Sequence, residues 1–388
     1  MYYIYYYLLH ILYYVLFITY TVLCYIFFMY NKQYCNIYNS RYKIQSDNLI
    51  NYALCNNYKY TEYLTHSVIF LIGTLEIKYN KQRVISNYTN IYREISKSPL
   101  NNDYCTESNA QETENNSGYI GLLMDAEYYL ESPVLERVNL IINEGISKYL
   151  VDGIVIGVLG EKNEENQFIV SKIVHQADTL KKLPNKEISV IFNNCDFSNI
   201  NENFDNSIIL ASNSKNIPIN TPTNIPILLF NTQLPKIPNK IIVVPCDINN
   251  QLFMIPWSIN NAPYNTELST QVQSVINPCI TRLNGILVGI LNIRTIYYML
   301  KYHRNPISEY NYYTVIDILL RNMHLSPLSP YSCPTLPSDN DLFCMGSIPD
   351  IIVVKCEFNS KREVIINGKA VIIILINEGT SIIMCKKE

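Results

Sequence analysis

The sequence predicts an α+β chain in two parts, a small β-barrel followed by a layered α/β domain. Three observations carry this. From Ser67 to about Leu180, short apolar runs (SVIFLIGTLEIKY, YIGLLM, VLERVNLII, DGIVIGVLG, FIVSKIV) alternate with polar connections, the pattern of a small Greek-key barrel. Beyond Leu183, EISVIFNN and SIILASN read as buried parallel strands, and IIVVP at Ile241–Pro245 as another. Near the C-terminus, EVIINGKAVIIILIN holds Asn367-Gly368, a strong two-residue hairpin signal.

The elements follow in order. Residues 1–30 form a hydrophobic N-terminal segment, and Lys32 is the first charged side chain. That length suffices to cross a bilayer. Against a membrane helix stand the missing positive n-region, the missing small-residue cleavage site, and tyrosines in its middle rather than at its ends. Met29 is a candidate initiator, which would place the stretch upstream of the protein, and a buried helix is a third reading. Residues 31–65 are polar and Tyr-rich and read as helix. The barrel occupies 66–180, interrupted by an acidic, Asn-rich loop from Ser98 to Ser117 and turned at Glu161–Asn166. The α/β domain spans 183–388, with a Pro/Asn-rich connection from Ser212 to Lys240. Within it, Leu283, Ile286, Val288 and Ile290 suit one buried strand interrupted by Gly285. Beyond Ser308, Tyr312, Val315, Ile316, Leu319, Leu320 and Met323 recur at helical spacing, and Pro327 and Pro330 stop that helix.

Composition narrows the function. A net charge of -3 argues against a dedicated phosphate-binding surface, which needs concentrated Lys and Arg. The barrel strands carry aliphatic residues where single-stranded DNA would need aromatics set in a basic groove. The 11 cysteines are scattered, with no CxxC pair and no Cys/His cluster at zinc spacing, so they read as buried, reduced thiols. His324, at a helix C-terminus, reads first as a cap favoured by the helix dipole and second as a relict metal ligand or catalytic acid. Asp196 and Asp247 follow candidate strands and read as solvated loop residues. Trp257 reads as core packing ahead of an interface anchor.

Several segments carry a resemblance. Asn277-Pro278, Asn284-Gly285 and Gly289, followed by a helix and then His324-Leu325-Ser326-Pro327 with Pro330, resemble the small (B) subunit of replicative DNA polymerases. The family signatures there are N-P-y, D-G-v-x-f-L-G and R-H-i-s/a-P-T-A-P-D-T-L. Tyr34, Ile37, Tyr38 and Arg41 match the Y-x-x-I-Y-x-x-R pattern of its delta class. Gly73-Thr74-Leu75 resembles the G-T-L that opens the family's OB region, and the run from Gly153 to Gly160 resembles a further barrel segment. Val243-Val244-Pro245 with Asp247, then Pro256, Ala262, Pro263 and Tyr264, resemble a weakened M-P-G-x-x-D-P region.

The resemblance implies an OB-fold barrel followed by a degenerate calcineurin-like phosphoesterase domain, layered sheets flanked by helices. Active phosphoesterases of that fold use two metal ions held by D-x-H, G-D, G-N-H-D/E and G-H-x-H segments. This chain has no D-x-H, G-D or N-H anywhere, and Ser212 stands where the family strand has the Gly of v-i-l-A-G-N. Its five histidines, His10, His66, His175, His303 and His324, are too dispersed to supply the set. The implied function is a non-catalytic, nuclear accessory subunit of polymerase delta with no cofactor. Its implied partners are the C-terminal cysteine-rich domain of the catalytic subunit and a third subunit, with DNA touched indirectly or weakly. Family-signature and interaction candidates are Tyr34, Tyr38, Arg41, Asn277, Pro278, Gly285, His324, Pro327 and Pro330. The alternatives are an active metallophosphoesterase or nuclease of the same fold, and a membrane-anchored protein.

Overall fold

The protein is described by a computed structural model covering residues 34–65, 67–79, 126–134, 137–143, 149–181, 184–185, 187–193, 207–212, 226–230, 241–244, 272–302, 307–329, 335, 338–378 and 381–386. The expected loop from Ser98 to Ser117, together with Asp196, Asp247, Trp257 and Pro330, lies outside the described residues.

Helix α1 spans Tyr34–Cys55. It holds no Gly or Pro, and its buried positions Ile37, Arg41, Gln45, Leu49 and Ala53 recur every four residues, one stripe along one face. The middle of that stripe is polar. The barrel follows, built from β1 (Ile69–Tyr79), β2 (Ala126–Glu131), β3 (Val138–Ile141), β4 (Val155–Lys162) and β5 (Phe168–Val174). The strands close in the order β1-β2-β3-β5-β4, antiparallel except for the β3–β5 pair. This is the OB-fold arrangement that the resemblance implies. Inward side chains alternate along each strand, as Leu75 and Ile77 in β1 and Phe168 and Val170 in β5 show. The outer end of α1 packs Leu49 and Ala53 on Phe70, Ile72, Val155 and Val174. A Cβ on Gly157 would run into the Phe70 ring, so the barrel needs glycine at that point.

The second part is a sandwich of two mixed sheets. One contains β6 (Ile188–Asn193), β7 (Ser207–Ala211), β8 (Ile227–Leu229), β9 (Ile241–Val243), β10 (Val272–Ser274) and β16 (Ser381–Lys386). Its order is β10-β9-β8-β7-β16-β6. The other runs β11 (Cys279–Leu283), β12 (Ile286–Leu291), β13 (Ile351–Lys355), β15 (Lys369–Ile376) and β14 (Ser360–Ile366). Period two divides β13 between layers. Ile351 and Val353 face Ile208, Leu210, Leu228 and Ile242 of the first sheet. Ile352 and Val354 face helices α2 (Ile293–Tyr302) and α3 (Glu309–Arg321) through Met299, Leu300, Val315, Ile316 and Leu319. That second core runs on without a break into the barrel interior.

Four local expectations are corrected. First, β6 and β7 point the same way but are not neighbours, because β16 pairs antiparallel with both and lies between them. Second, the single strand expected through Gly285 is two strands. Asn284 and Gly285 have φ of 43° and 75° and turn a tight hairpin between β11 and β12, as Asn367 and Gly368 do between β14 and β15. Third, α3 begins where expected, with the Ser308 hydroxyl accepting the Asn311 N–H, but it ends at Arg321 rather than at the prolines. Asn322 caps it through its own side chain, whose amide donates to the Ile318 carbonyl at 2.8 Å. Met323 then adopts a left-handed φ of 50°, which turns the chain before Pro327 is reached. Fourth, α2 is a helix the sequence does not predict. Asn292 starts it by accepting the Arg294 N–H at 2.9 Å. Among the described residues no helix is long and apolar enough to cross a membrane.

One buried carboxyl in the barrel gives a measurable handle. Asp152 accepts the Ile77 N–H at 2.9 Å, and burial pushes its carboxyl up to about 6, with Glu76 and Glu131 adding to the effect. A raised folded value means that this group's contribution is fully present below its unfolded value of about 4 and lost as pH rises through about 6. Asp152→Asn keeps the acceptor and removes the charge. It is expected to raise unfolding free energy by roughly 2 kcal/mol at pH 7.5, an advantage that shrinks toward pH 4 in urea titrations.

Candidate functional site

The family-signature residues of α1 and the sandwich meet at one buried point. The Arg41 guanidinium, 1% exposed, lies between barrel and sandwich. Its Nε donates to Asp341 Oδ2 at 2.7 Å, and its Nη1 donates to the Gly153 carbonyl at 2.8 Å and the Pro327 carbonyl at 2.7 Å. One side chain thereby ties α1 to a barrel loop and to the turn after α3. Gly153 suits the approach, since φ is 79° and a Cβ there would sit 2.9 Å from the Pro327 carbonyl oxygen. One turn earlier, Tyr38 donates to the Ser329 carbonyl at 3.3 Å, and its ring lies 5.3 Å from the Arg41 guanidinium carbon.

His324 belongs to the same cluster, and not as the helix cap that its position suggests. Its Nδ1 accepts the Ser326 N–H at 3.1 Å, which leaves the proton on Nε2 to be donated to Asp341 Oδ2 at 3.0 Å. Burial and the nearby Arg41 charge push the imidazole below its ordinary value, so the ring is neutral. Burial works against the Asp341 carboxylate. The bond from His324, the Arg41 guanidinium and the Phe343 N–H nevertheless hold its carboxyl below the usual range. The result is one buried cation, one buried anion and a neutral histidine.

Could the cluster hold a metal? His324, Asp341 and Cys344 place ligand atoms within 4.8 Å of one another. The chemistry does not fit. The His324 nitrogen facing the cluster carries the proton, burial pushes the Cys344 thiol up to about 12, and a guanidinium already occupies the carboxylate oxygen.

Asn277 and Pro278 lie farther along the sandwich. Both are buried at the start of β11, and the Asn277 carbonyl accepts the Asn292 amide at 3.3 Å. Next to Asn292, Thr295 and Ser326 share a hydroxyl hydrogen bond of 3.1 Å, which links this corner to the Arg41 cluster. Gly285 is apart, at a hairpin tip where an added Cβ would meet nothing within 4 Å. Tyr34 is the first residue of α1. The structure therefore gathers Tyr38, Arg41, His324 and Pro327, and leaves Gly285 outside.

Sequence reading misses Asp341, Gln45, Gln176 and Asn322. Gln45 donates to the Asn322 carbonyl at 3.2 Å, and Gln176 donates to the Gln45 carbonyl at 3.1 Å. His175 Nδ1 donates to Asn322 Oδ1 at 2.9 Å, and burial lowers its value also. The signal that could have found them is the four-residue recurrence in α1, which includes an Arg that burial obliges to find an acid.

Comparison with known families bears on this arrangement. Residues 33–173 match the DNA polymerase delta subunit OB-fold domain, and residues 238–362 match the B subunit of DNA polymerases alpha and epsilon. The two matches follow one another along the chain and together cover more than half of it. The chain belongs to the B-subunit family of DNA polymerases. No curated protein matches it. In this family member the first match contains α1 and the barrel up to the last residue but one of β5, and the second contains α2, α3, His324 and Asp341. The Arg41–Asp341 pair therefore joins one matched region to the other. Membership makes the chain a polymerase accessory subunit, and the family implies association with a catalytic subunit and a role in the nucleus.

Proposed function

We propose that this B-type chain is of the delta class and acts as a non-catalytic scaffold. It would hold the C-terminal cysteine-rich domain of the polymerase delta catalytic subunit and, on the barrel and α1 side, a third subunit. The observation that carries the reading is α1 itself. Its Tyr38 and Arg41, part of the delta-type pattern, are built into the contact between the two matched regions. Support for the delta class comes also from the first match, to a delta-subunit domain. The second match is to the alpha and epsilon kind, so the class is what the experiment must separate.

The non-catalytic half of the proposal rests on ligand chemistry. A two-metal phosphoesterase needs several carboxylates and histidines at strand ends. The chain lacks D-x-H, G-D and N-H segments, and β7 runs into buried Ser212. His324 is tied to Asp341 and Ser326.

The whole chain co-expressed with the cysteine-rich C-terminal domains of delta, alpha and epsilon catalytic subunits is expected to co-elute one-to-one with the delta domain alone. Folded protein that elutes by itself in all three cases overturns the scaffold reading. Hydrolysis of bis-p-nitrophenyl phosphate with Mn²⁺, lost on chelation, would overturn the non-catalytic half.

A further inference from the structure

The seam between barrel and sandwich is of two kinds. An apolar core runs from the barrel into α3, through Ile173 and Ala177 on one side and Tyr312, Ile316 and Leu319 on the other. Beside it lies a polar seam formed by Arg41, Gln45, His175, Gln176, Asn322, His324 and Asp341, all buried. The polar seam is incompletely satisfied. Arg41 Nη2, Gln45 Oε1 and Gln176 Oε1 are buried with no hydrogen-bond partner. The two parts differ in what they fix. Apolar contact is non-directional and holds two bodies together across a range of angles. Hydrogen bonds from a planar guanidinium are directional and admit one angle. Relative motion of two bodies is the default unless their contact is large and hydrophobic, and this contact is hydrophobic only in part.

We propose that Arg41 is the angular latch of the molecule. Its three bonds, to Gly153 in the barrel and to Pro327 and Asp341 in the sandwich, set the two bodies at one orientation. α1 carries the latch because it lies on the barrel through Leu49 and Ala53 while its earlier turns face the sandwich through Tyr38 and Asn36. A partner gripping both bodies then meets two surfaces already at their bound spacing, and loses less freedom on binding. This last step rests on the scaffold reading, whereas the latch itself does not.

The test reads angle and affinity separately in the full chain. Spin labels are placed by an orthogonal keto amino acid, because the chain has 11 cysteines. The sites are Glu164, in the exposed β4–β5 turn, and Glu363, on exposed strand β14. The unaltered protein is expected to give one narrow distance population. Arg41→Met should broaden it or add a second, with circular dichroism unchanged, and Arg41→Lys should lie between, since an ammonium lacks the fork. Affinity for the polymerase delta C-terminal domain, measured in the presence of the third subunit, should fall about tenfold or more in Arg41→Met, as pre-set spacing is lost.

A distance distribution identical to wild type in Arg41→Met overturns the latch, whatever the binding. A broadened distribution with unchanged affinity overturns the claim that partners read the angle. If the wild-type protein binds none of the polymerase domains, the scaffold reading falls and the distance result still decides the latch. Should Arg41→Met not fold, Arg41→Gln, whose shorter amide cannot make the three bonds to Gly153, Pro327 and Asp341 together, is measured with Arg41→Lys in its place. Narrow distances in both would overturn the latch.

Discussion

Arg41→Met is expected to cost about 3–5 kcal/mol of unfolding free energy, the effect of removing one member of a buried ion pair. The pair is close, at 2.7 Å, with both side chains 1% exposed. Methionine matches the length of the arginine stem but leaves Asp341 buried with only the His324 and Phe343 N–H groups to support its charge. It also strands the Gly153 and Pro327 carbonyls. Urea unfolding at pH 7.5 should show the loss in the midpoint. The double variant Arg41→Met/Asp341→Leu should lose less than the two single changes summed, because no charge is left buried. A loss below about 1 kcal/mol in Arg41→Met, the range of an exposed pair, would mean that water reaches the cluster.

Lys369→Met is expected to have an effect of the same size at a second buried ion pair, within the sandwich. Lys369 lies at the start of β15, 4% exposed, with Nζ 2.8 Å from Asp350 Oδ1 and 2.5 Å from the Ile348 carbonyl. Asp350 organises three strands at once. Its Oδ2 accepts the Leu287 N–H at 2.8 Å, its backbone N–H donates to the Leu287 carbonyl at 2.8 Å, and its carbonyl accepts the Ile372 N–H at 3.1 Å. Removing the ammonium leaves that buried carboxylate without its cation, at about 3–5 kcal/mol. Hydrogen exchange should localise the damage to β12, β13 and β15. Equal protection in the variant and wild type across those strands would overturn the assignment.

Much of the fold is legible because its signals are local. The barrel strands alternate, Asn367-Gly368 turns a tight hairpin with both residues at positive φ, and α3 announces its start with Ser308. The same turn chemistry at Asn284-Gly285 reads as an interruption, since Leu283 and Ile286 are both apolar and the run looks continuous. The site is half legible. Tyr38, Arg41 and His324 stand out as residues, but Arg41 meets Asp341 across 300 positions, and nothing adjacent to Asp341 marks it. In α1 the buried stripe runs Ile37, Arg41, Gln45, Leu49, so hydropathy shows no face where burial shows a clear one. His324 looks like a cap because cap geometry is local, whereas its actual partners are a loop carboxylate and a backbone amide beyond the turn. The neighbours of β6 and β7 are illegible for a related reason, since their common partner, β16, lies far along the chain.

That distant strand has a consequence for synthesis. β16 completes the six-stranded sheet by pairing Lys386 with Ile188 and Met384 with Ile208, so β6 and β7 wait on the ribosome with open edges until β16 has been made. The barrel, whose five strands are all made by Val174, can close long before. A nascent chain in this state carries a finished module in front of an unfinished one, and exposed strand edges are where chains stick to each other. Emergence of β16, rather than collapse of the barrel, is the moment at which the two parts become a single folded body.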